Sequence, residues 1–244
     1  LKITGGDKVH HFSQQQPVFE NRYDAGRQLA AKMGEYKSQS AVVLAIPNGG
    51  VPVALGVALA IEAELNLIIS RKIPLPLSPE GAFGAVTDDG TIILNEEAVK
   101  KAGLSQEQIN YGVSQVRADI RQRSLLYHQG MPPLVVGNRT VIIIDDGLAS
   151  GYTMMAAVES VRQRRPKEIV VAVPVAPATA VKNVEKIADK IIACVTGFMP
   201  EFYISDFYRY WHEPDDEEVI QCLKGWQLRR FWSNIGPLEK KDNG

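Results

Sequence analysis

The chain has 244 residues, 45% of them hydrophobic, which is enough for one large core with an appended subdomain. A formal net charge of -1 excludes a general field for a nucleic-acid backbone, so an anionic ligand has to be met locally. Two isolated cysteines, Cys194 and Cys222, exclude a disulfide scaffold, and His10, His11, His128 and His212 lack zinc-ligand spacing.

Leu1 to Gln16 is polar and lacks the basic-then-apolar order of a secretory leader, so the expected residence is cytoplasmic. From Asn21 to Tyr36, apolar residues recur at helical spacing. Ala41 to Ile46 reads as a buried strand and Val51 to Ala63 as a helix. Pro47, Asn48, Gly49, Gly50 and Pro52 interrupt this apolar region, which argues against a membrane span.

Leu65 to Ser70 is the next expected strand, ending at Arg71-Lys72. Pro74, Pro76 and Pro79 then predict irregular chain, and Ala82–Val86 with Thr91–Leu94 around Asp88-Asp89-Gly90 predict a hairpin. Asn95 caps a short helix to Lys101, and Ser105-Gln106-Glu107-Gln108 is a capping-box pattern opening a longer one towards Leu126.

Strand and helix then alternate. Arg139–Ile144, Glu168–Val173 and Lys190–Val195 read as strands, and Tyr152–Arg164 and Ala178–Lys186 as helices. The fold class is therefore α/β, an open and mainly parallel sheet with helices on both faces. Beyond Val195 come Phe198, Phe202, Tyr203, Phe207, Tyr208, Tyr210 and Trp211, then Asp215 to Glu218, a texture that suits a small hood with Phe207 and Trp211 in its core. The expected organisation is a core over residues 19–196 with a flap inserted at about 73–127, a hood over 197–225, and terminal extensions at 1–18 and 226–244.

The chemistry concentrates in Val141-Ile142-Ile143-Ile144-Asp145-Asp146-Gly147-Leu148-Ala149-Ser150-Gly151-Tyr152-Thr153. A buried strand enters two carboxylates, a small-residue loop and a helix. Gly147 and Gly151 allow close backbone approach, so amides and the helix N-terminus converge on an anion, and Ser150 and Thr153 add hydroxyls. Two aspartates beside a phosphate site suit a ligand that also presents a sugar diol or a hard cation. A plain strand-to-helix turn capped by Asp146 or Ser150 is the simpler alternative. No P-loop, dinucleotide-binding fingerprint or nucleophile elbow occurs.

Loops after other strands converge on the same sheet edge. Asn48, Gly49 and Gly50 follow the first strand, and their amides suit an anion. Arg71 and Lys72 close the second, and Pro174-Val175-Ala176-Pro177 follow the fourth.

The acidic pair with its small-residue run resembles the 5-phosphoribosyl 1-pyrophosphate (PRPP) signature of type I phosphoribosyltransferases. Residues 19–223 also resemble a narrower group, predicted phosphoribosyltransferases of largely unassigned substrate, through Ala45-Ile46-Pro47-Asn48-Gly49-Gly50-Val51-Pro52-Val53, Arg71-Lys72-Ile73, Pro79-Glu80-Gly81-Ala82-Phe83-Gly84-Ala85-Val86 and Asp145-Asp146-Gly147. That resemblance implies pyrophosphate displacement from C1 of the donor by a nitrogenous base or similar small nucleophile, with Mg²⁺. A homodimer would be ordinary for such a fold.

The resemblance implies that Asp145 and Asp146 face the ribose and meet the metal indirectly. It implies that Gly147, Leu148, Ala149, Ser150, Gly151, Tyr152 and Thr153 wrap the 5′-phosphate. Asn48, Gly49, Gly50, Arg71 and Lys72 would meet pyrophosphate, with Lys72 catalytic. Pro174, Val175 and Phe198 would lie on the acceptor side, and Gly81 and Gly84 would help a flap close. Glu80 is a conceivable acid or base. The group generally has Arg at the positions of Asn48 and His128, and Thr at Ser150. The alternative is therefore a PRPP-binding regulatory or sensor protein with weak or no transfer activity.

Overall fold

The structure is a computed structural model that describes residues 10–11, 17–37, 39–76, 78–129, 131, 134–198 and 201–235. The elements in order are β1 (His10–His11), α1 (Arg22–Ala30), β2 (Ala41–Ala45), α2 (Gly50–Ile61), β3 (Glu64–Leu67), β4 (Ser70–Leu75), β5 (Ser78–Thr87) and β6 (Ile92–Leu94). There follow α3 (Glu96–Ala102), α4 (Gln106–Tyr127), β7 (Thr140–Ile144), α5 (Tyr152–Arg162), β8 (Glu168–Pro177), α6 (Ala178–Val184), β9 (Lys190–Phe198) and α7 (Asp216–Ile235).

The main sheet has the order β1-β9-β8-β7-β2-β3, and every pairing in it is parallel. Burial on both faces explains why its strands read as continuous β-branched and aliphatic runs. The period-2 alternation survives in how the residues sort. Val43, Ala45, Ile142 and Ile144 pack with residues of α1, α2 and α7 on one face. Val42, Leu44, Val141 and Ile143 pack with residues of α5 and α6 on the other.

From β2 the chain moves outward to β3, whereas from β7 it moves the opposite way through β8 to β9. The carboxyl ends of neighbouring β2 and β7 therefore open at a switch point, the place where an open α/β sheet leaves a crevice.

The flap is more regular than the prolines predict. Strands β4, β5 and β6 form an antiparallel sheet that includes Pro74 and Pro79. β4 is its edge, and the register shifts on both sides of Pro74, which accommodates a residue with no N–H to donate. The Asp88-Asp89-Gly90 turn closes the predicted hairpin, with Gly90 at φ +90°. Gly81 and Gly84 lie where a side chain would not fit: a Cβ on Gly84 would lie 2.5 Å from the Ile93 carbonyl oxygen. Asn95 and the Ser105–Gln108 capping box start α3 and α4 as the sequence predicts.

Three further corrections concern boundaries. Arg71 and Lys72 lie inside β4 of the flap and do not close a core strand, because β3 ends at Leu67. The segment Pro174–Pro177 continues β8, with Val175 paired to Val195 and Ala176 to Thr196, so it is not a loop. Helix α7 runs past residue 225 to Ile235, and Trp226 is buried with Val219, Cys222 and Leu223 against the α2 face. The tails at 1–9 and 236–244 and the Glu80 side chain lie outside the described residues.

The hood is tied to the start of the chain. Phe19 bridges to Tyr208 in parallel, and the Val18 and Phe19 amides both donate to the Phe207 carbonyl, at 3.0 and 2.9 Å. Phe19, Phe207 and Tyr208 are buried together, with Trp211 packed partly buried against them. Among the described residues no helix is long and apolar enough to cross a membrane.

Candidate active site

Asp145 and Asp146 follow β7 directly, and the Pro47–Gly50 loop follows β2 beside it. The two loops touch. A Cβ on Gly49 would fall 2.0 Å from Asp146 Oδ2, and one on Gly50 would fall 2.9 Å from Asp145 Cα. Only glycines permit this approach, which is the physical content of the Gly-Gly pair. The Pro47–Asn48 peptide bond is cis.

The acidic pair is asymmetric. Asp145 Oδ1 accepts from the Asp146 amide at 2.9 Å. Asp146 Oδ2 accepts from Arg22 Nε at 2.8 Å, and Arg22 is only 4% exposed. Burial pushes both carboxyls above the usual carboxylate range. At Asp145 the neighbouring Asp146 adds to the rise, whereas at Asp146 the Arg22 guanidinium opposes it.

The sequence pattern does not single out Arg22, because its partners are brought to it only by tertiary packing. Its guanidinium carbon sits 3.9 Å from the centre of the Trp211 ring, and Nη1 donates to the His212 carbonyl. Tyr208 donates its hydroxyl to the Asp146 carbonyl at 2.7 Å. Hood aromatics thus fasten the aspartate loop from behind.

The run from Gly147 to Thr153 divides into a buried root and an open tip. Gly147 fits beneath Ile204 and Val175, where a Cβ would lie 2.9 Å from Ile204 Cγ2. The Leu148 amide donates to the Val175 carbonyl at 2.9 Å, so the expectation that Leu148 wraps a phosphate is corrected: its side chain is buried and its donor is used. Ala149 and Ser150 are exposed. Gly151, at φ +88°, caps α5, whose first-turn amides at Tyr152 and Thr153 have no intrahelical partner. The Thr153 carbonyl accepts from Ser70 Oγ at 2.8 Å, which ties the base of the flap to the start of α5.

On the other side of the Pro47–Gly50 loop, Asn48 Nδ2 donates to the Pro214 carbonyl at 2.8 Å and to Asp216 Oδ1 at 3.2 Å. Buried Tyr127, at the end of α4, donates its hydroxyl to Asp216 Oδ1, with Asn48 Oδ1 a competing acceptor 3.1 Å away. Arg71 is half-buried; burial and then the charge of Arg123 pull its pKa down. Lys72 is on the opposite, exposed face of β4, as strand alternation requires. His128 turns back on its own helix, with Nδ1 3.2 Å from Ser124 Oγ.

The expected acceptor wall is not brought together. Val175 is 1% exposed and packs with Phe19 and Phe207, and Pro174 is buried in β8. Phe198 is 49% exposed at the far end of β9, with Lys182 Nζ 5.9 Å from its ring centre.

The donor set suits Mg²⁺ only as a passenger of substrate. Among the described residues no group of three or more His, Cys, Asp or Glu side chains could hold a metal by itself. Mg²⁺ commonly relies on one or two carboxylates plus substrate phosphate oxygens, and the Asp145–Asp146 pair is a donor set of that kind.

Known proteins give the site its context. The phosphoribosyl transferase domain family matches residues 91–205. Two Mycobacterium tuberculosis proteins, Rv0571c of strain H37Rv and MT0597 of strain CDC 1551, are each 32% identical over 222 residues, and their names carry a provisional phosphoribosyl transferase assignment. These matches cover 91% of this chain but 49% of each relative, so the chain spans about half their length. The crystal structure of TT1426 from Thermus thermophilus is 33% identical, covers 85% of this chain and 98% of its own, and superposes with a TM-score of 0.70. With the fold, the acidic pair and these relatives in agreement, the chain belongs to the type I phosphoribosyltransferase superfamily.

Proposed function

We propose that the chain binds PRPP with Mg²⁺ and transfers its 5-phosphoribosyl group to a nitrogenous base or similar small nucleophile. The observation that carries this reading is the meeting of three anion- or diol-suited groups at one switch point. These are the Asp145–Asp146 pair, the open tip at Ala149–Thr153 with the first turn of α5, and the Asn48–Gly50 loop.

In this reading Asp145 and Asp146 hold the ribose hydroxyls. Ser150, Gly151, Tyr152 and Thr153 receive the 5′-phosphate through backbone amides and hydroxyls. Gly49, Gly50, Asn48 and Arg71 face the pyrophosphate, whereas Lys72, on the opposite face of β4, points away from it. Mg²⁺ on the substrate would neutralise phosphate charge, and Asp145 would hold it through water or ribose. The bond from C1 to the pyrophosphate oxygen breaks with its electron pair leaving on that oxygen. A lone pair on the acceptor nitrogen forms the new bond, and the acceptor proton passes to solvent. Asp146, paired with Arg22, stabilises the positive charge that develops on the sugar.

A second reading, a PRPP sensor with little chemistry, is favoured by one observation: Asn48 is engaged by Asp216 and Tyr127, and His128 by Ser124, where the related group generally carries Arg. Pyrophosphate release measured with PRPP, Mg²⁺ and a panel of bases separates the two. Release that disappears in Asp145→Ala and Asp146→Ala supports transfer. Calorimetric binding of PRPP without release from any acceptor supports the sensor, and no binding at all overturns both.

A further inference from the structure

Helix α7 begins with consecutive acids, and they do different work. Asp215 Oδ1 accepts from the Glu218 amide at 2.8 Å, the ordinary task of a helix cap. Asp216 is not needed for that task. Its Oδ1 instead receives the Tyr127 hydroxyl and Asn48 Nδ2, two donors brought from α4 and from the loop after β2.

The surroundings of this carboxylate are those of an anion site. Tyr127 is 2% exposed, so its hydroxyl is aimed by packing. Arg123 lies one helical turn earlier, on the same face of α4. Arg71 approaches from β4, which packs against α4. The Tyr127 hydrogen bond first, then Asn48, Arg123 and Arg71, outweigh partial burial and hold the Asp216 carboxyl below the usual range. The acid is therefore ionised at neutral pH, next to the loop assigned to pyrophosphate.

We propose that the Asp216 carboxylate occupies the pyrophosphate subsite of the free protein, held there by Asn48 and Tyr127, and that pyrophosphate binds by displacing it. The inference rests on the reading of the Asn48–Gly50 loop as a pyrophosphate loop. It adds Arg123 and Tyr127 to that subsite and makes the start of α7 a built-in competitor. Two anions cannot share these donors without mutual repulsion, so the ligand exchanges for the carboxylate. Two arginines on neighbouring elements then take the place of a cation at position 48.

The test is calorimetry with inorganic pyrophosphate and Mg²⁺, and separately with ribose 5-phosphate, on the unchanged chain, Asp216→Asn, and Asp216→Asn with Arg123→Gln. Asparagine keeps the acceptor oxygen for Tyr127 and Asn48 but removes the charge. Asp216→Asn is expected to bind pyrophosphate roughly tenfold more tightly, with ribose 5-phosphate affinity unchanged, and adding Arg123→Gln to abolish the gain. If Asp216→Asn fails to fold, Asp216→Ser gives the same sign. Unchanged or weaker pyrophosphate binding in a folded variant, with ribose 5-phosphate still bound, overturns this inference and leaves the proposed function standing. Failure of both ligands and of PRPP to bind the unchanged chain overturns the proposed function and this inference with it.

Discussion

Arg22 and Asp146 stand 124 positions apart, yet their side chains meet at 2.8 Å in one of the most enclosed places of the chain. The pairing joins the first helix to the loop after β7, and it does so beneath the Trp211 ring. A carboxylate taken out of water needs such a partner, because burial alone would drive it neutral. Fixing that charge also fixes the rotamer of the residue assigned to the ribose.

Replacing Arg22 with Met should destabilise the chain by about 3–5 kcal/mol, because it leaves a buried carboxylate uncompensated. Adding Asp146→Asn should restore much of that loss, since the charge then goes with its partner. Urea unfolding of the two single variants and the double variant measures the coupling. Additive losses would mean that the two residues act independently of each other.

Gly49→Ala tests the contact between the two loops. Gly49 has φ -60°, so alanine meets no backbone penalty, and the whole effect comes from the Cβ lying 2.0 Å from Asp146 Oδ2 and 3.2 Å from Arg22 Nε. Overpacking of this kind costs about 1–3 kcal/mol. PRPP binding should fall together with thermal stability. A variant as stable as the unchanged chain would contradict the close approach.

Local signals made much of this site legible. The β-branched strand runs directly into the acidic pair, and the Gly-Gly loop, although it follows a different strand, carries its own chemistry within a few residues. The capping box at Ser105 and the hairpin at Asp88-Asp89-Gly90 were readable for the same reason. Arg22, Tyr127, Trp211 and Asp216 were not, because each matters only through a partner placed by tertiary packing. Arg22 follows a helix-capping Asn21 and looks like any first-turn arginine. The prolines of the flap misled because their cost depends on whether a strand is an edge, which no local pattern discloses.

Asp89 should give the flap turn a measurable pH dependence. Burial would raise its pKa, but hydrogen bonds from Ser160, Thr87 and Thr91 outweigh that and hold the carboxyl far below its ordinary 3.8. Asp89 also pairs with Arg164 at 3.2 Å. A depressed folded pKa contributes stability that is complete above the unfolded value and is lost as pH falls through the folded one. The stability gap between the unchanged chain and Asp89→Asn should therefore be constant near neutrality and shrink below about pH 4. Urea midpoints of both proteins across that range measure it. A gap independent of pH would mean that the ionised form has no special partners.

Gly151 offers the sharpest separation between folding and ligand binding, because the chain contains a matched control. Gly151 and Gly103 both have positive φ, +88° and +61°, and both sit at a helix boundary. Alanine at either position forces an L side chain into left-handed backbone, at a cost of about 1–2 kcal/mol. Around Gly103 a Cβ would meet nothing within 4 Å, and the residue ends α3. Around Gly151 it would lie 3.3 Å from Val184 Cγ2, and the residue opens the α5 turn whose amides are assigned to the 5′-phosphate. Gly151→Ala and Gly103→Ala should therefore lower stability by similar amounts, while only Gly151→Ala weakens PRPP binding. Thermal melts and calorimetry on the pair read both quantities. Equal losses of PRPP affinity in the two variants would remove the α5 N-terminus from the phosphate site.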